Sequence, residues 1–506
     1  MKQQRLTTQR VLALVASQNF FWLITGLLAF QAVWIALSGK YPMAFDEDYH
    51  LGIIRLYAHH VSPFWSGQPP GADVFGAVAR DPSYLYHWLM SFPYRLFSWF
   101  TGDQTIIVLL LRMLNIGLLA SALGIFRKLL LMTGASRQLV HGCLLLFVLI
   151  PVVPLLAAQI NYDNLLLPMV GLLLLIAVRC TDALRPKRPV DVDDLLKLLA
   201  VVLSLSIIKY AALPICLVVV VFVVVSLRRR YGSWGQLGRQ LAAGWRGLQG
   251  TRRWMLVGLV LLLAVLNVER YGVNLVRYHT LTPDCDQVLT VQQCSHYGPW
   301  IRDYNFSINK VDEAHNPIVY TGDWLKGMWL RLFFAVGGPD TTFETRGPLV
   351  IPGIGAIVLT ALTVAAGLVY GRRIVRDHHT PAFWLLLSSA GFYIAVLWLE
   401  EYRAYVRTGQ PVAINGRYLL PIMLPLLLLG AWSVGKLMHH RRRWQVGLFA
   451  LAVLTLAWGG GALTFVLRSN DRWYWPVQPV YDANHAVQRV FGPVTPGYRT
   501  PTQFLN

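Results

Sequence analysis

Long apolar runs recur along the whole chain and alternate with shorter polar segments. The first run covers residues 11–37, and others follow at intervals up to residues 444–467. A helix needs about 20 apolar residues to cross a hydrocarbon core about 30 Å thick, so each long run predicts one membrane crossing. The pattern therefore predicts an all-α integral membrane protein with about eleven transmembrane helices.

Two polar segments are too long to be simple turns between such helices. Residues 38–104 follow the first run, and residues 84–100 within them are rich in Trp, Tyr and Phe. This composition is typical of short helices that lie in the membrane interface, and Pro93 is expected to separate two of them. Residues 276–347 form the longest polar segment of the chain.

The composition agrees with a membrane protein of many crossings. Hydrophobic residues make up 55% of the chain and charged residues 14%, which excludes an ordinary soluble protein. The predicted organisation is one transmembrane module over residues 1–467, which includes the loops 38–104 and 276–347. Residues 468–506 are expected to form an extracytoplasmic tail with little regular structure.

The net charge of +20 is explained by the placement of the basic residues. They concentrate in alternate loops, for example at residues 127–128, 228–230 and 441–443. Because Lys and Arg are enriched in cytoplasmic loops, this places the N-terminus in the cytoplasm and both long loops outside it. No nucleic-acid partner is expected, since topology already accounts for the charge.

Two of the five cysteines, Cys285 and Cys294, lie together in the second long loop. On the extracytoplasmic side such a pair can form a disulfide, because that compartment is oxidising. The sequence alone leaves open whether it does.

Three acidic residues, Asp46, Glu47 and Asp48, come directly after the first apolar run. If the chain continues as a helix, His50 lies on the same face as Asp46. A carboxylate beside a membrane surface can act as a general base that activates an acceptor hydroxyl. Asp46 and Asp48 could instead hold a divalent cation, but two carboxylates are a weak ligand set. A site without a metal or other cofactor is therefore favoured.

Cationic residues are predicted on the same side of the membrane as the acidic cluster. Lys209 lies at the tip of a tight helical hairpin, where it either serves a function or extends to the lipid headgroups. A lipid phosphate is a natural partner for its charge. Arg417 begins a span at the same interface, and Arg55, Arg80 and Arg403 add guanidinium groups suited to a phosphate.

Residues 161–164, with the sequence Asn-Tyr-Asp-Asn, are also predicted on this side. Their side chains, including the carboxylate of Asp163, could bind a hydroxylated ligand. A tight turn between two helices would select the same residue types, and the sequence leaves both interpretations open.

In combination these motifs resemble the GT-C class of membrane glycosyltransferases, which use lipid-linked sugar donors. Residues 45–50 with 55–58 resemble the acidic first-loop motif of that class, and residues 81–88, with Tyr84, resemble its aromatic interfacial segment. Residues 208–214 and 416–421, the latter with Tyr418, are similar to segments of a bacterial subfamily of predicted membrane glycosyltransferases. Many members carry a folded domain after the last span, whereas this chain has only a tail.

The resemblance implies transfer of a sugar, with inversion, from a polyprenyl-phosphate donor to a glycan, lipid or protein acceptor on the outer face of the bacterial inner membrane. By resemblance Asp46 is the catalytic base, Glu47 assists it or binds substrate, and Lys209 and Arg417 bind the donor phosphate. Membrane lipids are further expected partners. The other predicted substrate-binding residues are Asp48, His50, Arg55, Arg80, Tyr84, Asp163, Arg403 and Tyr418.

Two alternatives compete with a transferase. A transporter or flippase of lipid-linked saccharides would use the same charges to line a path, but transporters usually place them near the bilayer midplane. Here most charges are predicted at one interface, and Arg112 is the clear exception within a span. A non-catalytic scaffold would leave the acidic cluster without a role.

Overall fold

The structure is a computed structural model that describes residues 10–44, 46–181, 191–248, 250–310, 316–333, 336–337, 343–344, 350–438, 441–459, 461–469 and 471–495. Phe45 of the acidic motif lies outside the described residues, as do residues 311–315 of the second long loop and residues 496–506 of the tail.

Within these ranges the chain is almost entirely helical. The helices are α1 (Gln18–Ser38), α2 (Glu47–His59), α3 (Leu85–Phe100), α4 (Gln104–Leu131), α5 (Arg137–Leu149), α6 (Val152–Ala157), α7 (Asp163–Thr181), α8 (Val192–Ile208), α9 (Leu213–Tyr231), α10 (Trp234–Gly247), α11 (Gly250–Asn267), α12 (Val273–Tyr278), α13 (Cys285–Val288), α14 (Val291–Cys294), α15 (Gly298–Ile308), α16 (Pro317–Phe333), α17 (Val350–Asp377), α18 (Pro381–Thr408), α19 (Leu420–Leu437), α20 (Arg442–Gly459), α21 (Gly461–Arg468) and α22 (Gln478–Phe491). Two short strands, β1 (Val336–Gly337) and β2 (Phe343–Glu344), pair antiparallel. Single 3₁₀ turns lie at Ala72–Phe75, Tyr210–Ala212, Gly416–Leu419 and Asp471–Trp473, and a π-helical turn at Val268–Gly272 joins α11 to α12.

Nine helical segments among the described residues are long and apolar enough to cross a membrane. They are Gln18–Ser38, Gln104–Leu131, Asp163–Thr181, Tyr210–Tyr231, Gly250–Tyr278, Gly353–Asp377, Pro381–Thr408, Gly416–Leu437 and Arg443–Arg468. This confirms the predicted all-α membrane class.

The other two predicted crossings have a different form. Residues 139–158 are divided between α5 and α6, because Pro151 follows the end of α5 and begins a new turn. The second, α8, has 17 residues, which is slightly short for a full crossing.

Two local expectations were wrong. Pro93 does not separate two helices but lies inside the continuous helix α3, where packing against α2 and α4 outweighs the lost backbone hydrogen bond. The tail is not irregular, since α22 is a helix whose Asn484 side chain donates to Ser38 Oγ at 3.1 Å and accepts from Trp34 Nε1 at 3.0 Å. These buried polar contacts dock the tail on the end of α1.

The second long loop contains the disulfide whose formation the sequence left open. Cys285 and Cys294 are bonded, with their Cα atoms 5.8 Å apart, and the bond joins α13 to α14.

The first long loop is fixed to the bundle by a buried cation in the π-helical turn. Arg270 is completely buried, donates to the carbonyl oxygen of Ala79, and lies with its guanidinium carbon 4.3 Å from the centroid of the Tyr84 ring. The neighbouring Glu269 accepts from Arg80 at 2.7 Å. Arg80 and Tyr84 therefore tie the loop to α11 and α12.

Candidate active site

The acidic segment is held by a buried ion pair with the cation of α4. Both side chains, Glu47 and Arg112, are fully buried, with Arg112 Nε 2.8 Å from Glu47 Oε1 and Nη2 2.7 Å from Oε2. Arg112 Nη1 also donates to the carbonyl oxygens of Ala36 and Gly39 at the end of α1. This bidentate pair fixes the start of α2 against α1 and α4.

The carboxylate of Glu47 accepts two further hydrogen bonds from backbone groups. Met43 N donates to Oε2 at 2.8 Å and Ile160 N donates to Oε1 at 3.2 Å. Both oxygens of Glu47 are thus engaged with the protein, and the side chain has no exposed surface. The same contacts bring the loop before α2 close to the segment before α7.

One helical turn beyond Arg112, Asn115 anchors the turn at residues 161–164. Its Oδ1 atom accepts from Tyr86 OH at 2.8 Å and from Asn164 Nδ2 at 3.1 Å. Asp163 N is in turn bonded to Asn161 Oδ1 at 2.9 Å. This network positions Tyr162 and Asp163 at the beginning of α7.

The lysine of the hairpin tip points into this turn. The backbone of Lys209 is extended beyond the end of α8, and Pro214 lies in the first turn of α9. Its Nζ atom lies 2.6 Å from Asp163 Oδ1, and 4.4 Å and 5.1 Å from the centroids of the Tyr162 and Tyr418 rings. Burial lowers the pKa of Lys209, while the carboxylate of Asp163 opposes that shift.

A third ion pair lies beside that of Lys209 and Asp163 and joins residues that are far apart in the sequence. Arg417 Nη2 is 2.7 Å from Asp46 Oδ2, and the guanidinium carbon of Arg417 lies 5.4 Å from the centroid of the Tyr418 ring. The Arg417 side chain is 6% exposed, whereas that of Asp46 is 59% exposed. Both cations lie close to the ring of Tyr418, and Asp46, Asp163, Lys209 and Arg417 form one cluster.

The close approach of Gly416 to α16 positions Arg417. A Cβ atom at Gly416 would lie 2.5 Å from Met328 O and 2.6 Å from Leu332 N, both of which are backbone atoms of α16. The side chain of Asn415 caps the same turn and accepts from Arg417 N at 3.1 Å.

We therefore expect Gly416→Ala to displace the 3₁₀ turn and to destabilise the protein by about 1–3 kcal/mol, the usual cost of overpacking. The free energy of unfolding in detergent is the measurement. Gly391→Ala in α18 is the matched control, because a Cβ atom there meets nothing within 4 Å and alanine favours the helix. Equal effects in both variants would contradict the proposed close approach.

Two histidines form a buried pair at the same site. His50 Nδ1 lies 2.9 Å from His87 Nε2, and His87 Nδ1 lies 3.2 Å from the carbonyl oxygen of Ser83. Burial, the neighbouring His87 and the cations Arg417 and Lys209 lower the pKa of His50 well below its usual range. Burial lowers the pKa of His87 to about 3.

The structure brings six of the twelve predicted site residues together and places the other six elsewhere. Asp46, His50, Asp163, Lys209, Arg417 and Tyr418 meet in the cluster or directly beside it. Arg55 instead donates to Gln104 at 2.8 Å, and Arg403 pairs with Glu400 on an exposed surface. Asp48 is exposed on the first turn of α2.

Sequence reasoning missed three residues of the site, namely Arg112, Asn115 and His87. Arg112 did carry a signal, because a charged residue within an apolar span requires a buried partner. Asn115 and His87 carried none, since single polar residues at these positions have many structural explanations. Within the described part of the chain, no group of three or more His, Cys, Asp or Glu side chains is arranged to hold a metal ion.

Comparisons with known proteins found similarity to a solved structure but to no protein family. No protein-family model and no curated protein matches the chain. Among solved structures the chain is similar to the crystal structure of the Archaeoglobus fulgidus oligosaccharyltransferase in complex with Zn and sulfate, with 12% identity and a TM-score of 0.40. The match covers 91% of this chain and 56% of that one, so this chain spans little more than half its length.

Proposed function

We propose that the protein is a membrane glycosyltransferase that moves a sugar from a polyprenyl-phosphate donor to an acceptor hydroxyl on the extracytoplasmic side. The observation that carries this proposal is the cluster of two buried cations, Lys209 and Arg417, beside the exposed carboxylate of Asp46. A phosphate leaving group needs cations, and an acceptor hydroxyl needs a base. Both requirements meet in one cluster at the ends of membrane helices.

In the proposed reaction the acceptor oxygen attacks the anomeric carbon as the bond from that carbon to the phosphate oxygen breaks. The acceptor proton passes to the carboxylate of Asp46, and the bonding electron pair leaves with the lipid phosphate. Lys209 and Arg417 stabilise the charge that develops on the phosphate. Attack from the side opposite the leaving group gives inversion.

Arg417 has two roles in this proposal. Without donor it pairs with Asp46 at 2.7 Å. A bound phosphate competes for the same guanidinium group, because planar bidentate contacts favour phosphate as well as carboxylate. Donor binding would thereby release Asp46 to accept a proton.

Glu47 has a different role from Asp46, although the two are adjacent. Its oxygens are occupied by Arg112 and two backbone amides, and it has no exposed surface. We infer that Glu47 positions the loop that carries Asp46 and does not touch the substrate.

The test uses purified protein in nanodiscs with undecaprenyl-phosphate glucose, mannose and galactose, and a cell-envelope fraction as acceptor source. We expect one of these lipids to lose its sugar to a product in the envelope fraction. The alternative, a transporter, would move the intact lipid across proteoliposomes without turnover. Transport without transfer would overturn the proposal.

The cations also predict how the lipid phosphate is bound. We expect Lys209→Met to weaken the binding of undecaprenyl phosphate by about 10- to 100-fold, because a charge-assisted hydrogen bond contributes about 1.5–3 kcal/mol. Native mass spectrometry of the protein titrated with this lipid measures the change. Lys197→Met is the matched control, since Lys197 lies on α8 as well but pairs with Asp193 near its beginning. An equal loss of affinity for undecaprenyl phosphate in both variants would argue against a phosphate site at Lys209.

A further inference from the structure

We propose that His50 binds the sugar of the donor, through a hydrogen bond that its Nε2 atom accepts from a hydroxyl group of the saccharide. The inference rests on the proposed function and deepens it. Lys209 and Arg417 would bind the phosphate, and His50 would bind the group that is transferred.

The hydrogen-bond chain through His87 fixes the protonation of His50. The carbonyl oxygen of Ser83 can only accept, so the Nδ1 atom of His87, 3.2 Å away, carries its proton. A neutral imidazole has one N–H group, and Nε2 of His87 is therefore an acceptor. His50 Nδ1, 2.9 Å from it, must donate. This leaves a lone pair on Nε2 of His50.

That lone pair lies in the candidate site and is available to a ligand. Within the part of the chain that the structure describes, the His50 side chain forms its hydrogen bond through Nδ1 alone, although the residue is 2% exposed. Its ring centroid is 4.6 Å from that of Tyr162, the same ring that Lys209 Nζ approaches to 4.4 Å. The lone pair on Nε2 can accept a hydrogen bond from a hydroxyl group of a ligand that lies beside Tyr162.

The surroundings favour an acceptor over a base at this position. The groups that face His50 are His87 and Tyr86 of α3, Tyr49 of its own helix, Tyr162, and the cations Lys209 and Arg417. Each cation opposes a positive charge on the imidazole. His50 therefore stays neutral and accepts a hydrogen bond, and Asp46 keeps the role of base.

Four lipids and two substitutions test the inference without any need for turnover. The lipids are undecaprenyl phosphate and its glucose, mannose and galactose derivatives, and the measurement is affinity by native mass spectrometry. His50→Asn keeps an amide donor near the Nδ1 position but removes the Nε2 acceptor. His50→Gln keeps an amide oxygen near the Nε2 position.

We expect His50→Asn to weaken the binding of the preferred sugar-bearing lipid by about tenfold, which corresponds to the loss of one hydrogen bond to a neutral group. Binding of undecaprenyl phosphate itself should change by less than about twofold, since that lipid lacks the sugar hydroxyl. His50→Gln should stay within about threefold of the wild type for every lipid. If His50 had only a structural role, both variants would bind all four lipids more weakly and to the same extent.

Three results would overturn the inference. The first two are that His50→Asn loses affinity equally for the sugar-bearing and sugar-free lipids, or that it loses no affinity at all. The third is that the wild-type protein binds no sugar-bearing lipid more tightly than undecaprenyl phosphate. Failure of the proposed function looks different, because undecaprenyl phosphate would then bind the wild type and Lys209→Met equally.

Nitrogen NMR of ¹⁵N-histidine protein in nanodiscs gives a readout that is independent of ligand. We expect His50 and His87 both to carry the proton on Nδ1 and to show no titration between about pH 6 and pH 8, because both pKa values are lowered. In His87→Leu the preference of His50 for this tautomer should disappear. A proton on Nε2 of His50 in the wild type would overturn the inference.

Discussion

Asp46→Asn should reduce sugar transfer by a factor on the order of 10³, because a positioned general base contributes about 10²- to 10⁴-fold. The asparagine keeps the size of the side chain and an oxygen that accepts from Arg417, but it cannot take the acceptor proton. The backbone at Asp46 has φ of 65°, a left-handed conformation that asparagine adopts with little strain. The loss should therefore appear in the rate constant of the transfer step, with little change in protein stability.

Single-turnover transfer from the preferred undecaprenyl-phosphate hexose is the measurement. Asp103→Asn is the matched control, because Asp103 also precedes a helix and caps it by accepting from Thr105 N at 2.8 Å. Asparagine caps a helix about as well as aspartate, so this variant should transfer at the wild-type rate. If Asp46→Asn also kept full activity, Asp46 would have no part in the chemistry.

Glu47→Gln should destabilise the fold by about 3–5 kcal/mol, the usual cost of removing one partner from a buried ion pair. The amide leaves the charge of Arg112 buried without a counter-ion. It also places an N–H donor where Met43 N or Arg112 now donates to the carboxylate. The free energy of unfolding in detergent micelles, followed by tryptophan fluorescence, measures the loss.

Glu400→Gln is the control for this prediction. Glu400 also pairs with an arginine at 2.7 Å, but both side chains of that pair are at least 60% exposed. Surface pairs contribute about 0–1 kcal/mol, so the control should be close to the wild type. The double variant Glu47→Leu with Arg112→Met should recover part of the loss, because no buried charge remains. A loss below about 1 kcal/mol in Glu47→Gln would show that this pair does not hold the acidic loop.

The adjacent residues Asp46 and Glu47 show how far the sequence could assign roles. Both are carboxylates at the beginning of one predicted helix, and the sequence pattern treats them alike. The structure separates them because Glu47 is the first residue of the helix, whereas Asp46 lies just outside it. Asp46 has a left-handed backbone before the helix and an exposed side chain, while the side chain of Glu47 contacts Arg112 of α4.

His50 of the same motif shows a second limit of prediction from the sequence. The spacing of four residues placed His50 on the face of Asp46, and the backbone bond from His50 N to Asp46 O at 3.0 Å agrees with that turn. The partner of its side chain, His87, lies 37 residues further along the chain. No periodicity links the two, so the hydrogen-bond chain was not predictable from the sequence.

The sequence by itself determined the helical membrane class, and it predicts that the charged residues meet on one side of the membrane. Hydropathy and the distribution of Lys and Arg are local properties, and a hydrophobic run crosses a membrane whichever neighbours it has. Only the tertiary structure decided which charges pair. Arg417 and Asp46 are 371 residues apart in the chain, Arg112 and Glu47 are 65 apart, and Lys209 and Asp163 are 46 apart. Such pairs depend on which helices pack together, and shape complementarity between side chains over whole helix faces decides that packing.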